Sequence, residues 1–103
     1  MKGQSANLTS QDIGERLRAH RDVLDKYTVR RIGLFGSFAR GQQRQESDID
    51  LLVSFEEPTF DHFMDLVFYL ERLFGREVEL VTEGSLSPYL KPYIEQEVRW
   101  YEV

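Results

Sequence analysis

The feature of this chain that most constrains its fold is a buried-strand pattern that opens with two acidic residues. Residues 48–55 carry a nearly continuous apolar run, which is typical of a strand buried on both faces. Asp48 and Asp50 stand at its start, and their side chains share one face of the strand, roughly 6.6 Å apart along its axis. Charged groups that are buried without a partner cost free energy. The pattern therefore predicts a sheet whose buried strand offers a pair of carboxylates to a cationic partner.

Helix and strand patterns alternate along the rest of the chain. Three further strands are predicted, at residues 29–35, at 77–82 and, as a short edge strand, at 99–103. Helices are predicted from Thr9 or Ser10 through Tyr27, over 38–42, from Pro58-Thr59 to Phe74 with Gly75 as its cap, and over 88–98. Alternating elements in one small domain indicate an α/β or α+β fold. We expect a small mixed sheet with helices packed mainly on one face and an active site at a sheet edge.

The length and composition indicate one globular domain. A chain of 103 residues is predicted to form a single domain over 1–103, with the small and polar residues 1–8 as a flexible arm. No apolar run is long enough to span a membrane, and the amino terminus lacks a signal-peptide core. Cysteine is absent, which excludes disulfides and thiolate metal sites, and two histidines leave little material for a zinc site. The sequence thus predicts a cytoplasmic protein without a membrane partner.

The net charge restricts the partners of the chain. Acidic residues outnumber basic residues by 18 to 13, which gives a net charge of −5. Non-specific nucleic-acid binding usually depends on a basic surface, so we expect no direct nucleic-acid partner. The same charge opposes the binding of an anionic nucleotide unless a divalent cation screens the repulsion.

A second feature lies upstream of the acidic pair. Gly36-Ser37 ends one predicted strand and begins a short helix, and such a turn offers backbone N–H groups and a hydroxyl to phosphate oxygens. Gly36 would let the backbone approach a triphosphate closely. Mg2+ favours one or two carboxylates together with phosphate oxygens and water, and Asp48 and Asp50 can supply those carboxylates. An anion-binding turn and a metal-binding pair together suit a substitution reaction at phosphorus.

The spacing of these residues resembles a known signature. Gly36-Ser37, ten intervening residues and Asp48-x-Asp50 resemble the motif of the polymerase-β-like nucleotidyltransferase superfamily. The fuller strings Gly-Ser-Phe-Ala-Arg-Gly and Ser-Asp-Ile-Asp-Leu-Leu-Val are similar to those of minimal nucleotidyltransferases, over residues 29 to about 82. The resemblance implies the nucleotidyltransferase fold and Mg2+-dependent transfer of AMP from ATP. It also implies an antitoxin role beside a HEPN-domain ribonuclease toxin, on which a tyrosine receives the AMP.

The resemblance further implies a third carboxylate on the strand that follows the long helix. The family's Val-Asp-Leu-Val pattern corresponds here to Val78-Glu79-Leu80-Val81, so Glu79 takes the position of the usual Asp. Its implied role is general base for the attacking hydroxyl or additional metal ligand. The extra methylene can misplace the carboxylate by about an ångström, which can slow a reaction roughly 100-fold. The predicted site comprises Asp48, Asp50 and Glu79 as catalytic and metal-binding residues, and Gly36, Ser37 and Arg40 as nucleotide-binding residues.

Simpler interpretations of the same residues remain open. The two aspartates, or Glu79, can be solvated strand acids, although Gly36-Ser37 at the matching distance argues against this for the pair. Arg40 can pair with an acid of its own loop instead of binding phosphate. The whole protein can also neutralise its toxin by occlusion with little catalysis, which the Glu79 departure and the short chain favour. A small-molecule adenylyltransferase is a third hypothesis, although relatives of that type usually carry a second helical domain, absent here.

Overall fold

The computed structural model describes residues 8–101, which form a four-stranded mixed sheet and five α-helices. The helices are α1 (Ser10–Ala19), α2 (Arg21–Lys26), α3 (Gly36–Arg40), α4 (Phe60–Phe74) and α5 (Lys91–Glu97). The strands are β1 (Val29–Phe35), β2 (Ile49–Phe55), β3 (Val78–Thr82) and β4 (Arg99–Tyr101). The predicted mixed sheet is confirmed. Within 8–101, none of the helices has the length and apolar character needed to cross a membrane.

Strand β2 occupies an inner position of the sheet, whose order is β3-β2-β1-β4. Strand β1 runs antiparallel to β2 and β4, whereas β2 runs parallel to β3 across the α4 connection. The register places Phe35 opposite Asp50, and it places Asp50 beside Glu79. The predicted edge strand 99–103 is confirmed as β4, and its residues 102 and 103 lie outside the described range.

The hydrophobic core lies between one face of the sheet and helices α1, α2 and α4. Alternate residues of the two inner strands point into it, namely Ile32, Leu34, Ile49, Leu51, Val53 and Phe55. The helices contribute fully buried side chains, among them Ile13, Leu17, Leu24, Leu66 and Leu70. Each such side chain contributes about 1.5–3 kcal/mol to folding. The predicted packing of helices on one face is therefore confirmed for these three.

The amino-terminal region departs from the predictions in two places. Leu8 belongs to the buried core and not to the predicted flexible arm, whose residues 1–7 lie outside the described range. The apolar face predicted as one helix through Tyr27 is broken at His20, which ends α1 and begins α2. The His20 backbone N–H and ring Nδ1 both lie within hydrogen-bonding distance of the Arg16 carbonyl, so His20 caps the first helix. The N-cap itself is Thr9, in a reciprocal capping box with Asp12.

The opposite face of the sheet carries the strand carboxylates at one end and the buried Leu52 further along β2. Because neighbours along a strand point to opposite faces, Asp50 lies on the face away from the buried Leu51, and its neighbour Glu79 shares that face. The end of α5 covers part of this face, since a Cβ built on Gly33 would meet the Val98 side chain at 2.7 Å. These two carboxylates lie at one end of the sheet, Asp50 on the inner strand β2 and Glu79 on the edge strand β3. The expected active site at a sheet edge stays a prediction, with Glu79 on the edge strand β3 and Asp50 on the inner strand beside it.

Candidate active site

The Gly36–Ser37 turn joins β1 directly to α3. Helix α3 begins at Gly36, two residues before the predicted start at residue 38, because Phe35 already provides its extended N-cap. Gly36 adopts a left-handed φ of 77°. A Cβ on Gly36 would also collide with the Asp50 carboxylate, which packs against this turn. Glycine is therefore required both for the backbone conformation and for the room that Asp50 occupies. Ser37 follows in the first turn of α3 and is half-buried.

Three of the predicted acidic residues lie around one end of β2. Asp50 is half-buried, and its burial raises the pKa of the carboxyl to about 6, with the negative charges of Glu79 and Asp48 acting in the same direction. Asp48 lies immediately before β2 and is exposed, as is Glu79 on β3. Arg40 opposes the shift with its positive charge. The site therefore concentrates negative charge around a half-buried carboxyl, whose ionised form is less favourable than in solvent.

The carboxylates around Asp50 do not enclose a metal ion from several sides. Within residues 8–101, the structure does not gather three or more acidic or histidine side chains into a group that could enclose a metal ion. The predicted set of Asp48, Asp50 and Glu79 is therefore not a closed cage. Mg2+ commonly takes only one or two protein carboxylates and completes its shell with water and substrate phosphates. The oxygen-only donors and the unfavourable negative charge at Asp50 fit a cation that is shared with a nucleotide.

Arg40 lies beside the turn but pairs with a distant acid. Its guanidinium donates to Glu97 at 3.0 Å and to the Gln42 side chain at 3.2 Å. Glu97 also accepts the backbone N–H of Gly36 at 2.8 Å through its other oxygen. The hypothesis that Arg40 pairs with an acid of its own loop was wrong, because the acid comes from α5. Sequence analysis missed Glu97, since only the packing of α5 against α3 brings it to the turn.

A second contact missed by sequence analysis holds the segment that leads into Asp48. Arg76 donates to the Ser47 carbonyl at 3.0 Å, and its guanidinium lies 5.2 Å from the centre of the buried Phe38 ring. The Ser47 hydroxyl in turn accepts the Arg44 N–H at 2.7 Å. These contacts tie α3, the loop and the start of β2 together. They set the position from which Asp48 faces the site.

A cavity at the other end of β2 is not part of this site. It has a volume of about 590 Å3, and its lining includes Phe55, Phe60, Phe63, Leu80 and Thr82. None of the six predicted site residues contributes to that lining. The cavity is mostly apolar, and Glu83, the carboxylate in its lining, forms an ion pair with Arg31 at 2.7 Å.

Comparisons with known proteins agree on one family. A family profile described as nucleotidyltransferase domain matches residues 17–101. A Methanocaldococcus jannaschii protein named as a protein adenylyltransferase is 46% identical, over 87% of this chain and 95% of that protein. The protein adenylyltransferase MntA of Thermococcus cleftensis is 42% identical, over 90% of this chain and 96% of its own length.

Solved structures give the same fold. A minimal nucleotidyltransferase structure superposes with a TM-score of 0.78 at 34% identity, covering 91% of this chain and 97% of that one. A chain from the complex of a tri-AMPylated Shewanella oneidensis HEPN toxin with an MNT antitoxin has a TM-score of 0.61, over 84% of this chain and 68% of that one. Its identity of 20% shows the likeness of fold alone.

Proposed function

Because this chain belongs to the nucleotidyltransferase family, we propose that it transfers AMP from Mg-ATP to a tyrosine hydroxyl of a partner HEPN-domain toxin. Its relatives named protein adenylyltransferase match it over nearly their whole length, which supports a protein acceptor. A fold neighbour comes from a complex of an AMPylated HEPN toxin with an MNT antitoxin, which supports this class of partner. The observation that carries the proposal is the half-buried Asp50 carboxylate against the Gly36 turn.

Each predicted residue has a role in the proposed reaction. Asp50 and Asp48 would hold Mg2+, which supplies positive charge to the phosphates and to the leaving pyrophosphate. Ser37 and the backbone N–H groups of the turn would bind the distal phosphates. The acceptor oxygen forms a bond to the α-phosphorus while the bond from that phosphorus to the pyrophosphate oxygen breaks. The hydroxyl proton passes to Glu79, and pyrophosphate leaves.

The exposure of Glu79 supports its role toward a protein acceptor. A base for a tyrosine on another molecule must be reachable from solvent, and Glu79 is exposed on β3. Its place beside Asp50 in the parallel register brings it to the end of the sheet where the nucleotide is proposed to bind. In the proposed reaction, its side chain, one methylene longer than that of aspartate, would reach the incoming hydroxyl.

The test is transfer to the toxin by the purified chain. With Mg-ATP, we expect the intact mass of a co-purified HEPN toxin to rise in steps of one AMP on tyrosine. Asp50→Asn should abolish these steps, whereas Asp65→Asn, a change at an exposed acid of α4, should leave them unchanged. Glu79→Gln should slow transfer roughly 100-fold, and Glu79→Asp should retain or raise the rate.

Neutralisation by occlusion is the second candidate function. The Glu97 carboxylate accepts the Gly36 N–H and the Arg40 guanidinium, so these two donors have a protein partner without a phosphate, which favours this hypothesis. Under this hypothesis the toxin is neutralised with no change in its mass, and Asp50→Asn neutralises it as well as the wild type does. That result would refute transfer as the means of neutralisation.

A further inference from the structure

Glu97 holds the Gly36–Ser37 turn with both oxygens of its carboxylate. One oxygen accepts the Gly36 N–H at 2.8 Å, and the other accepts the Arg40 guanidinium at 3.0 Å. The Glu97 side chain is 28% exposed and the Arg40 side chain 48%, so the ion pair is partly open to solvent. Both donors belong to the set predicted to bind phosphate. We propose that the Glu97 carboxylate occupies the subsite of a distal phosphate of ATP and is displaced when the nucleotide binds.

The chemistry of the two donors supports competition between the two anions. A backbone N–H and a guanidinium bind carboxylate and phosphate oxygens through the same short, charge-assisted hydrogen bonds. The Gly36 backbone carries one N–H, so it cannot donate a full hydrogen bond to Glu97 and to a phosphate oxygen at once. A nucleotide phosphate that takes this donor must therefore move the Glu97 side chain.

The charge balance of the site supports the same conclusion. The negative charge of Glu97 adds to those of Asp48 and Glu79 around the half-buried Asp50, and Arg40 opposes them. A triphosphate bound beside an unmoved Glu97 would add like charge to this cluster. If Glu97 leaves, Arg40 becomes available to the phosphate.

The pairing of β4 with β1 limits the movement that accompanies displacement of Glu97 to α5. Helix α5 ends at Glu97, and β4 follows after Val98. Strand β4 stays paired with β1 through Ile32, Gly33 and Leu34, so the segment remains attached to the sheet. Displacement of Glu97 thus loosens the helix and leaves the strand in place. Nucleotide binding and the docking of α5 become competing states of one site.

The inference rests on the proposed binding of ATP but not on transfer to a toxin, and binding measurements separate the two. Calorimetry in the presence of Mg2+ compares ATP with AMP, which lacks the distal phosphates. We expect Glu97→Gln to bind ATP about tenfold more tightly than the wild type, because a neutral amide holds the two donors less strongly. Affinity for AMP should not change. Glu95→Gln, at an exposed acid of the same helix, should match the wild type for both.

Three outcomes would overturn the inference. Equal ATP affinity of Glu97→Gln and wild type would show that Glu97 does not compete with ATP. That result would leave the proposed modification of the toxin standing. A parallel loss of ATP and AMP affinity would assign Glu97 a supporting role in the turn. If ATP binds to none of the variants, the proposed function fails together with the inference.

Hydrogen exchange on the wild-type chain provides a test that needs no variant. Mg-ATP should speed the exchange of amides in α5 and slow that of the Gly36 amide, because a phosphate replaces the carboxylate. Slower exchange in both segments would mean that Glu97 stays in place, and it would refute displacement.

Discussion

At the scale of single residues, Gly36 links the turn to the acidic strand. Its left-handed φ and the Asp50 carboxylate that fills the space beside it are two separate reasons for glycine. The second reason is a tertiary contact, since Asp50 reaches Gly36 only through the pairing of β1 with β2. Gly36 and Asp50 thus pack directly against each other, and a substitution at either residue changes the space available to the other.

Replacing Gly36 by alanine should separate these two reasons. Gly41 serves as the matched control because it has a φ of 71° and nothing lies within 4 Å of the position that a Cβ would take there. We expect Gly41→Ala to lower the free energy of unfolding by about 1 kcal/mol through backbone strain. Gly36→Ala should lower it by about 1–3 kcal/mol more through the collision with Asp50. Urea unfolding followed by circular dichroism measures both; equal losses would mean that Asp50 moves aside freely.

At the scale of elements, β4 and the end of α5 dock on β1 at a position without a side chain. A Cβ on Gly33 would lie 2.7 Å from Val98 and 2.8 Å from the Trp100 ring. The Arg31 guanidinium lies 3.8 Å from the centre of that ring and adds a cation–π contact on the same face. Close approach at Gly33 therefore sets how β4 and Glu97 sit on the sheet.

Gly33→Ala should loosen this docking. We expect the free energy of unfolding to fall by about 1–3 kcal/mol, because Val98 and Trp100 must move away from the strand. Gly84→Ala is the control, since nothing lies within 4 Å of its Cβ position. Urea titrations monitored by the fluorescence of Trp100, the single tryptophan, compare the two variants. A Gly33→Ala protein as stable as the control would show that the docking tolerates a methyl group.

Elements with strong local signals could be predicted from sequence. The apolar stripe of α4 lies between the Thr59 N-cap, whose hydroxyl accepts the His62 N–H, and Gly75 with a left-handed φ of 67°, and all of these signals are local. The break at His20 could not be predicted in this way, because Leu17 and Leu24 continue a helical period across it. Local periodicity carries no information on how two short helices are oriented on a sheet.

The candidate site divides in the same way. The motif residues are close in sequence, so the turn at Gly36 and the start of a buried strand beside Asp48 could be predicted from local pattern. The shared face of Asp48 and Asp50 stays a prediction. The partner of Arg40 lies 57 residues away on another helix, and the contact between Arg76 and Ser47 spans 29 residues. Such pairs depend on the packing of whole elements, for which one sequence carries no direct signal.

At the scale of the whole molecule, the sheet separates the core from the acidic site. Three helices cover one face, while Asp50 and Glu79 lie on the other with the end of α5 above part of it. The acidic site adds repulsion to a chain that already carries a net charge of −5. The site is therefore a local cost to stability in the absence of a cation, and the core on the opposite face offsets it.

This cost predicts a pH dependence of stability without metal. Since the folded state raises the pKa of Asp50 to about 6, the folded chain binds a proton more tightly than the unfolded chain does. The contribution of Asp50 should therefore favour folding at low pH and be lost as pH rises from about 4 to about 6. In EDTA at pH 7.5, Asp50→Asn should melt at a higher temperature than the wild type, and the difference should shrink at pH 5.

Thermal melts of both proteins at the two pH values check this prediction. Mg2+ should raise the melting temperature of the wild type at pH 7.5 more than that of Asp50→Asn. A wild type that melts above Asp50→Asn at pH 7.5 in EDTA would contradict the unfavourable charge at this position.

The alternation of β2 side chains between the two faces of the sheet also limits where insertions and deletions are tolerated in this chain. Ile49, Leu51 and Val53 face the core, while Asp50 lies between them on the opposite face. A codon inserted or deleted within this strand would shift the alternation of the residues on one side of the change, so that aspartate entered the core or a core residue turned to the Asp50 face. Length variation among related genes should therefore gather in the polar segment 41–47, and β2 should keep its seven residues.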